Sequence, residues 1–137
     1  MRRFESSPSV RLHTPAGRPF EAWVAGSFRV RLTGLAGLAG LPPGRALLLP
    51  GCRSLHTVGM RFAIDVAFVS WPPVAGGCRV VALRAGVPPF RVVVLPGLPR
   101  RGIAALEVAA GTLVPGGVRP GDRLSVDRSR FGSGAWG

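Results

Sequence analysis

The sequence predicts a mainly β fold, a compact sandwich or partly open barrel of about seven to nine short strands with one or two short helices. Three observations support this prediction. The 137 residues include 14 prolines and 20 glycines, which interrupt long helices and supply turns. Hydrophobic residues make up 47% of the chain, enough for a buried core. Short apolar or alternating runs recur along the chain and are separated by turn residues.

Each predicted strand is a short alternating or continuous apolar run, and most of these runs end at proline or glycine. The first run alternates apolar and polar side chains, and a Pro-Ala-Gly-Arg-Pro turn connects it to a return strand. The predicted strands cover residues 10–14, 20–24, 28–32, 46–49, 61–69, 78–84, 90–95, 103–109 and 122–126.

One short helix is predicted at residues 33–41, where leucine recurs at every third residue. Thr33 is a suitable N-cap, and the Pro-Pro pair after Leu41 ends the run. The glycines between the leucines weaken this helix because glycine has a low helix propensity. Residues 111–118 are predicted to form a turn or a single helical turn.

The length of 137 residues predicts one domain over residues 1–127, and residues 128–137, which show no periodic pattern, are predicted to form a mobile C-terminal tail. The first residues carry the positive charges of a signal peptide, but no apolar segment follows them. No apolar run approaches the roughly 18 residues that a membrane-spanning helix needs. We therefore expect a soluble, cytoplasmic protein without a transmembrane segment.

The chain carries a formal net charge of +12, from 18 basic residues, all of them arginine, against six acidic ones. A compositional bias explains arginine in place of lysine, but it does not explain the shortage of acids. The arginines are spread from Arg2 to Arg130 in runs no longer than two, without a stripe of aromatic residues that could stack bases. The charge therefore predicts weak, salt-sensitive binding to nucleic acid or another polyanion, independent of its sequence.

The two cysteines, Cys52 and Cys78, are predicted to be reduced thiols, and neither belongs to a C-x-x-C pair typical of zinc sites. Cys52, His56 and Met60 follow each other at intervals of four residues, which suggests soft-metal ligands. On a strand, however, each interval spans about 13 Å, and Gly59 opposes a helix that would bring them together. We predict no metal site and no cofactor.

The most informative segment, residues 52–69, is a polar set that leads directly into an apolar run. Asp65 lies within that run between Ile64 and Val66, where an unpaired carboxylate costs several kcal/mol. Arg61 lies about 13 Å from Asp65 along the same strand and is too far away to be its partner. The leading interpretation is a structural ion pair between Asp65 and another arginine.

Glu107 is the second carboxylate set into an apolar run. If the fold brings Asp65 and Glu107 together, they could serve as a general acid and base. Two separate structural anchors are the more common arrangement for carboxylates on strands. His56 could act as a base, contact a ligand, or hold a loop, and the structural interpretation is favoured.

Three ordered motifs resemble the bacterial and archaeal family of domain of unknown function 192. They are the run at residues 52–69, the Leu-Glu-Val-Ala-Ala-Gly-Thr segment at 106–112 with the Val-Arg-Pro-Gly-Asp-Arg-Leu segment at 118–124, and Arg-Leu-Thr-Gly-Leu-Ala-Gly at 31–37. The similarity covers residues 28–126. It implies a compact, mainly β single domain with a short helix and no established activity.

Many members of that family are exported, whereas this chain shows no signal sequence. Members often carry an aromatic residue at the position of His56, proline at that of Ala63, and an acidic turn where this chain has Ser-Trp-Pro-Pro at 70–73. The positions that match the family's motifs most securely are Asp65, Glu107, Gly111 and Asp122.

Our principal hypothesis is a small, non-enzymatic binding module with a polar cleft for a small ligand or a protein partner. One alternative is a hydrolase that uses Asp65 and Glu107 as paired carboxylates, and another is a weak, non-specific polyanion binder. The candidate binding residues are His56, Thr57, Arg61, Asp65, Glu107 and Thr112.

Overall fold

Seven short strands close into a barrel in the computed structural model, which describes residues 8–25 and 35–127. Two further strands form a separate small sheet. The strands are β1 (Ser9–His13), β2 (Pro19–Val24), β3 (Arg45–Pro50), β4 (Ser54–His56), β5 (Ile64–Ser70), β6 (Gly77–Val87), β7 (Val92–Val94), β8 (Ile103–Ala109) and β9 (Arg123–Asp127).

Around the barrel the strand order is β1-β2-β3-β8-β5-β6-β9, and β9 pairs with β1 to close it. The pairing of β2 with β3 is parallel, and the other barrel pairs are antiparallel. The remaining strands, β4 and β7, pair antiparallel over three residues each, and we call this two-stranded sheet the ribbon.

The core consists of two apolar sets on the two faces of the barrel wall. The inner set receives side chains from all seven barrel strands, including Leu12, Leu48 and Ala67, so it fills the barrel interior. The outer set comes from β3, β5, β6, β8, the ribbon and neighbouring loops, and it includes Phe68 and Val93. Strand residues alternate between the two sets because successive side chains point to opposite faces.

The mainly β prediction is confirmed, although the barrel is closed rather than partly open. Eight of the nine predicted strands overlap an observed strand, and the ninth, at residues 28–32, lies outside the described residues. The β4 strand was not predicted, because three largely polar residues give no periodic signal. The predicted tail at residues 128–137 also lies outside the described residues.

The predicted helix at residues 33–41 is wrong over its described part. Residues 35–37 form a turn, and residues 38–41 continue without helical structure. Gly37 has a φ of 79°, a left-handed conformation that ends a helical turn. Residues 111–118 likewise form turns. None of the described residues forms a helix long and apolar enough to span a membrane.

Candidate functional site

Asp65 lies on the inner face of β5, where it is buried and accepts three backbone hydrogen bonds. Its Oδ1 accepts from the amide of Gly86 at 2.9 Å. Its Oδ2 accepts from the amides of Thr112 at 3.0 Å and Leu113 at 3.1 Å. The carboxylate thereby joins β5 to the end of β6 and to the segment at residues 110–121, and this segment places Leu113 among the inner core residues.

The expected arginine partner of Asp65 is absent from the described part of the chain, where the salt bridge found joins Arg11 to Glu21. The local backbone explains why. Between Ile64 and Val66 the pairing with β6 skips a residue, a bulge that brings the Gly86 amide onto Asp65. Backbone amides therefore satisfy this carboxylate without a counter-charge.

The alternation of side chains along residues 61–69 predicts that Asp65 faces the same way as Ala67 and opposite to Ile64 and Val66, and this facing is confirmed. Ala67 and Val69, two and four residues further along β5, belong to the inner set, whereas Ile64 and Val66 belong to the outer set. The alternation of the strand thus places the carboxylate inside the barrel wall, close to the segment that it holds.

Glu107 lies on the outer face of β8, directly opposite Leu47 of β3 and Val66 of β5. Its exposed fraction is 4%, and its Oε2 has no hydrogen-bond partner among the described residues. Removal from water disfavours the charged form, so burial raises the pKa of Glu107 from 4.5 to about 7.

The hypothesis of paired carboxylates is therefore wrong. Asp65 pairs with Val108 across β5 and β8, and Glu107 pairs with Val66 in the neighbouring position. Because directly opposed residues share a face and successive residues alternate, Asp65 points into the barrel and Glu107 points away from it. The barrel wall separates the two carboxylates, so they cannot act on the same bond of a substrate.

Thr57 links the ribbon to the turn before β7. It is buried, its hydroxyl donates to the carbonyl oxygen of Pro88 at 2.7 Å, and that hydroxyl accepts from the amide of Arg91 at 2.8 Å. The Thr57 amide donates to the Arg91 carbonyl oxygen at 2.8 Å. These bonds give Thr57 a structural role at the start of β7.

The other candidates lie apart from one another. His56 is exposed on β4 opposite Val92, and its Nδ1 accepts from the Val58 amide at 3.2 Å. Arg61 is exposed in the turn before β5. The structure thus brings together Asp65 with Thr112 and His56 with Thr57, but the six residues do not line one cleft. Their roles in binding stay predictions.

A cavity of about 260 Å³ lies between the end of β6 and the ribbon, and we call it the ribbon cavity. Two arginines and the exposed side chains of Val92 and Val94 contribute to its walls. The residues that line it are Arg84, Ala85, Gly86, Val87, Pro88, Arg91, Val92, Val93 and Val94.

A second cavity, of about 350 Å³, adjoins the ribbon cavity at Val94 and is lined in part by Arg53 and Arg100. Together the two cavities present four arginines and, among the described residues, no carboxylate. Sequence reasoning missed this region because its residues come from the end of one strand, a proline turn and a short second strand. The sequence shows only a run of three valines after Arg91, and the exposure of Val92 and Val94 is a property of the fold.

The cysteines are not joined by a disulfide. Cys78 is buried among the inner core residues, and its burial raises the pKa of its thiol to about 12, although Arg123 opposes that shift. Among residues 8–25 and 35–127, no three His, Cys, Asp or Glu side chains come together as metal ligands would.

These features define a class of small closed β-barrel whose end is covered by an amide-anchored segment and whose outer face carries a two-stranded ribbon. The chain belongs to the family of domain of unknown function 192, described as "Uncharacterized ACR", whose model matches residues 11–126. A search of curated proteins found no significant match to the chain.

Solved structures share the fold, among them the following two. One is a candidate transcription regulator from Sinorhizobium meliloti, at 23% identity and a TM-score of 0.67, with 88% of this chain and 94% of that chain covered. The other is a protein of unknown function from Novosphingobium aromaticivorans, at 19% identity and a TM-score of 0.69, with 85% and 83% covered. At these identities the similarity concerns the fold alone.

Proposed function

We propose that the protein is a non-enzymatic binding module that holds an anionic group of its ligand or partner in the ribbon cavity. The observation that carries the proposal is the lining of that cavity, where Arg84 and Arg91 lie beside exposed apolar side chains and the described part of the chain contributes no carboxylate. A guanidinium group binds carboxylate or phosphate through two parallel hydrogen bonds, which provides both charge and geometric selectivity.

The size of the cavity favours a part of a larger partner over a whole small molecule. Its volume of about 260 Å³ lies below the roughly 300–1,000 Å³ of typical small-molecule sites. Val92 and Val94 are 70% and 64% exposed, and they add apolar area that an anionic side chain alone would leave uncovered. Of the predicted binding residues, Thr57 hydrogen-bonds to Pro88 and Arg91 in the cavity wall, and His56 lies opposite Val92 on the same ribbon.

The proposal can be tested by titrating isotope-labelled protein with citrate and following the backbone amide signals by NMR. We expect the shifts to concentrate at residues 84–94 and to disappear in the double variant Arg84→Gln/Arg91→Gln. Arg18→Gln, which changes an exposed arginine in the turn between β1 and β2, is the matched control and should bind as the wild type does. Shifts that avoid residues 84–94, or that survive in the double variant, would contradict the proposal.

A second candidate function, weak polyanion binding, is favoured by the unpaired positive charge. Six of the 18 arginines lie outside the described residues, and among the other twelve a salt bridge is found for Arg11. The candidate transcription regulator adds no weight here, because 23% identity supports the fold only. Labelled DNA should bind weakly at low salt and dissociate at moderate salt. Tight, sequence-selective binding at moderate salt would show that nucleic acid is a specific partner.

A further inference from the structure

We infer that the partner is an extended polypeptide segment with acidic side chains that adds to β7 as a third strand of the ribbon. The inference rests on the proposed function, because it fills the same cavity and uses the same arginines. It adds the chemical class of the partner and the backbone groups that would hold it.

Among the described residues, no strand pairs with the edge of β7 that faces away from β4, and we call it the open edge. The Arg91 carbonyl accepts from Thr57, so the backbone groups of Arg91 point toward β4. Because these groups alternate along an antiparallel strand, the N–H and C=O of Val92 and Val94 point to the opposite edge. In the part of the chain that the structure describes, β7 pairs with β4 alone. Val92, Val93 and Val94 all line the ribbon cavity, so the open edge borders it.

The ribbon gains most from an added strand because it is so small. Two strands of three residues each form a sheet that is marginal on its own. A segment paired along the open edge could make up to about four backbone hydrogen bonds with Val92 and Val94. Such strand addition is a general mode of peptide recognition, in which the backbone provides affinity and alternate side chains provide selectivity.

The surroundings of β7 define which side chains fit. Val92 and Val94 share the exposed ribbon face, so the partner's residues on that face would be apolar. The partner's alternate residues would face β6, where Arg84 lines the cavity. Beyond Val94, Arg53 and Arg100 line the second cavity, which extends the positive surface along the direction of β7. The matching segment alternates acidic and apolar residues.

A second copy of this chain fits the edge poorly. Pairing two ribbons edge to edge would bring their cavity arginines together, and each chain has a formal charge of +12. Nucleic acid can contact the arginines, but it lacks the regular amide and carbonyl groups that complete a β-sheet. The open backbone edge therefore favours a polypeptide over the other polyanions.

The test uses fluorescence anisotropy with a labelled peptide that alternates glutamate and valine over seven residues. One derivative carries N-methyl groups on all glutamates and a second carries them on all valines. In an extended peptide the glutamate N–H groups point to one edge and the valine N–H groups to the other, and only one of these edges would pair with β7. We therefore expect one derivative to bind at least about tenfold more weakly than the parent peptide and the other to keep its affinity. Arg84→Gln/Arg91→Gln should weaken the parent peptide at least about tenfold, and Arg18→Gln should not.

Equal affinity of the parent and both methylated peptides would overturn strand addition. If that binding still depended on Arg84 and Arg91, the proposed function would stand. Citrate shifts at residues 84–94 without peptide binding would also overturn the inference and leave the proposed function intact, whereas the absence of both would contradict both. A dimer in sedimentation experiments that excess peptide does not dissociate would assign the edge to a second copy.

Discussion

Glu107 should make the stability of this protein fall as pH rises, and Glu107→Gln should remove that dependence. The folded carboxyl has a pKa raised from 4.5 to about 7, so the folded state binds its proton more tightly than the unfolded state does. Well below pH 4.5 the Glu107 carboxyl is protonated in both states and does not lower the free energy of unfolding. Between 4.5 and 7 the unfolded state ionises first, and stability is lost progressively.

Once the carboxyl is ionised in both states, the free energy of unfolding is lower by about 3 kcal/mol than at acidic pH. Most of this loss develops between pH 5 and pH 8. Glutamine has the shape of glutamate but does not titrate. The free energy of unfolding of Glu107→Gln, minus that of the wild type, should therefore be about 2–3 kcal/mol larger at pH 8 than at pH 5. Taking this difference cancels every pH-dependent contribution that the two proteins share.

Urea unfolding followed by circular dichroism at pH 5 and pH 8 measures both free energies. Glu21→Gln is the matched control, since Glu21 is also a carboxylate on a strand. Glu21 forms a salt bridge with Arg11, whereas the Oε2 of Glu107 is buried without a hydrogen-bond partner among the described residues. The control should keep the pH slope of the wild type. Equal slopes in the wild type and Glu107→Gln would refute the reasoning, because Glu107 would then ionise alike in both states.

Three further predictions concern other buried groups. Asp65→Ala should lower the free energy of unfolding by about 3 kcal/mol, because three backbone amides lose their acceptor, and an unchanged urea midpoint would contradict the anchor role. Thr57→Val should lower the free energy of unfolding by about 1–2 kcal/mol and speed hydrogen exchange at the Arg91 amide, which loses its acceptor. Unchanged exchange at that amide would contradict the structural role of the Thr57 hydroxyl. In a Cys52→Ser background, Cys78 should resist alkylation by iodoacetamide at pH 8 until urea unfolds the protein, because its pKa of about 12 leaves little thiolate. Alkylation of the folded protein at the rate of the unfolded protein would contradict the burial of Cys78.

The period-two pattern predicted the strands well because it depends on local alternation. It also placed Asp65 on the correct face, since the small residue Ala67 and the large residues Ile64 and Val66 occupy opposite faces of the same run. The partner of Asp65 was not predictable from that pattern. The three amides that bond Asp65 depend on a bulge in β6 and on the turn after β8, which are features of how segments meet rather than of any one strand.

The relation between Asp65 and Glu107 also depends on tertiary register. The sequence shows that both carboxylates lie within apolar runs, but only the pairing of Val66 with Glu107 reveals that they face opposite ways. The ribbon cavity was missed for a related reason. Its walls come from segments that become neighbours only when the turn at residues 88–91 folds back on Thr57.

The seam between β1 and β9 has a consequence for synthesis on the ribosome. Arg11 pairs with Asp127 and His13 with Ser125, so the barrel closes by joining its first strand to its last. Because translation adds about 5–20 residues per second, a nascent chain displays the inward-facing side chains of β1 through β8 for seconds before β9 emerges. The cell must keep that incomplete surface from aggregating, and chaperone contact should end when the final strand leaves the exit tunnel.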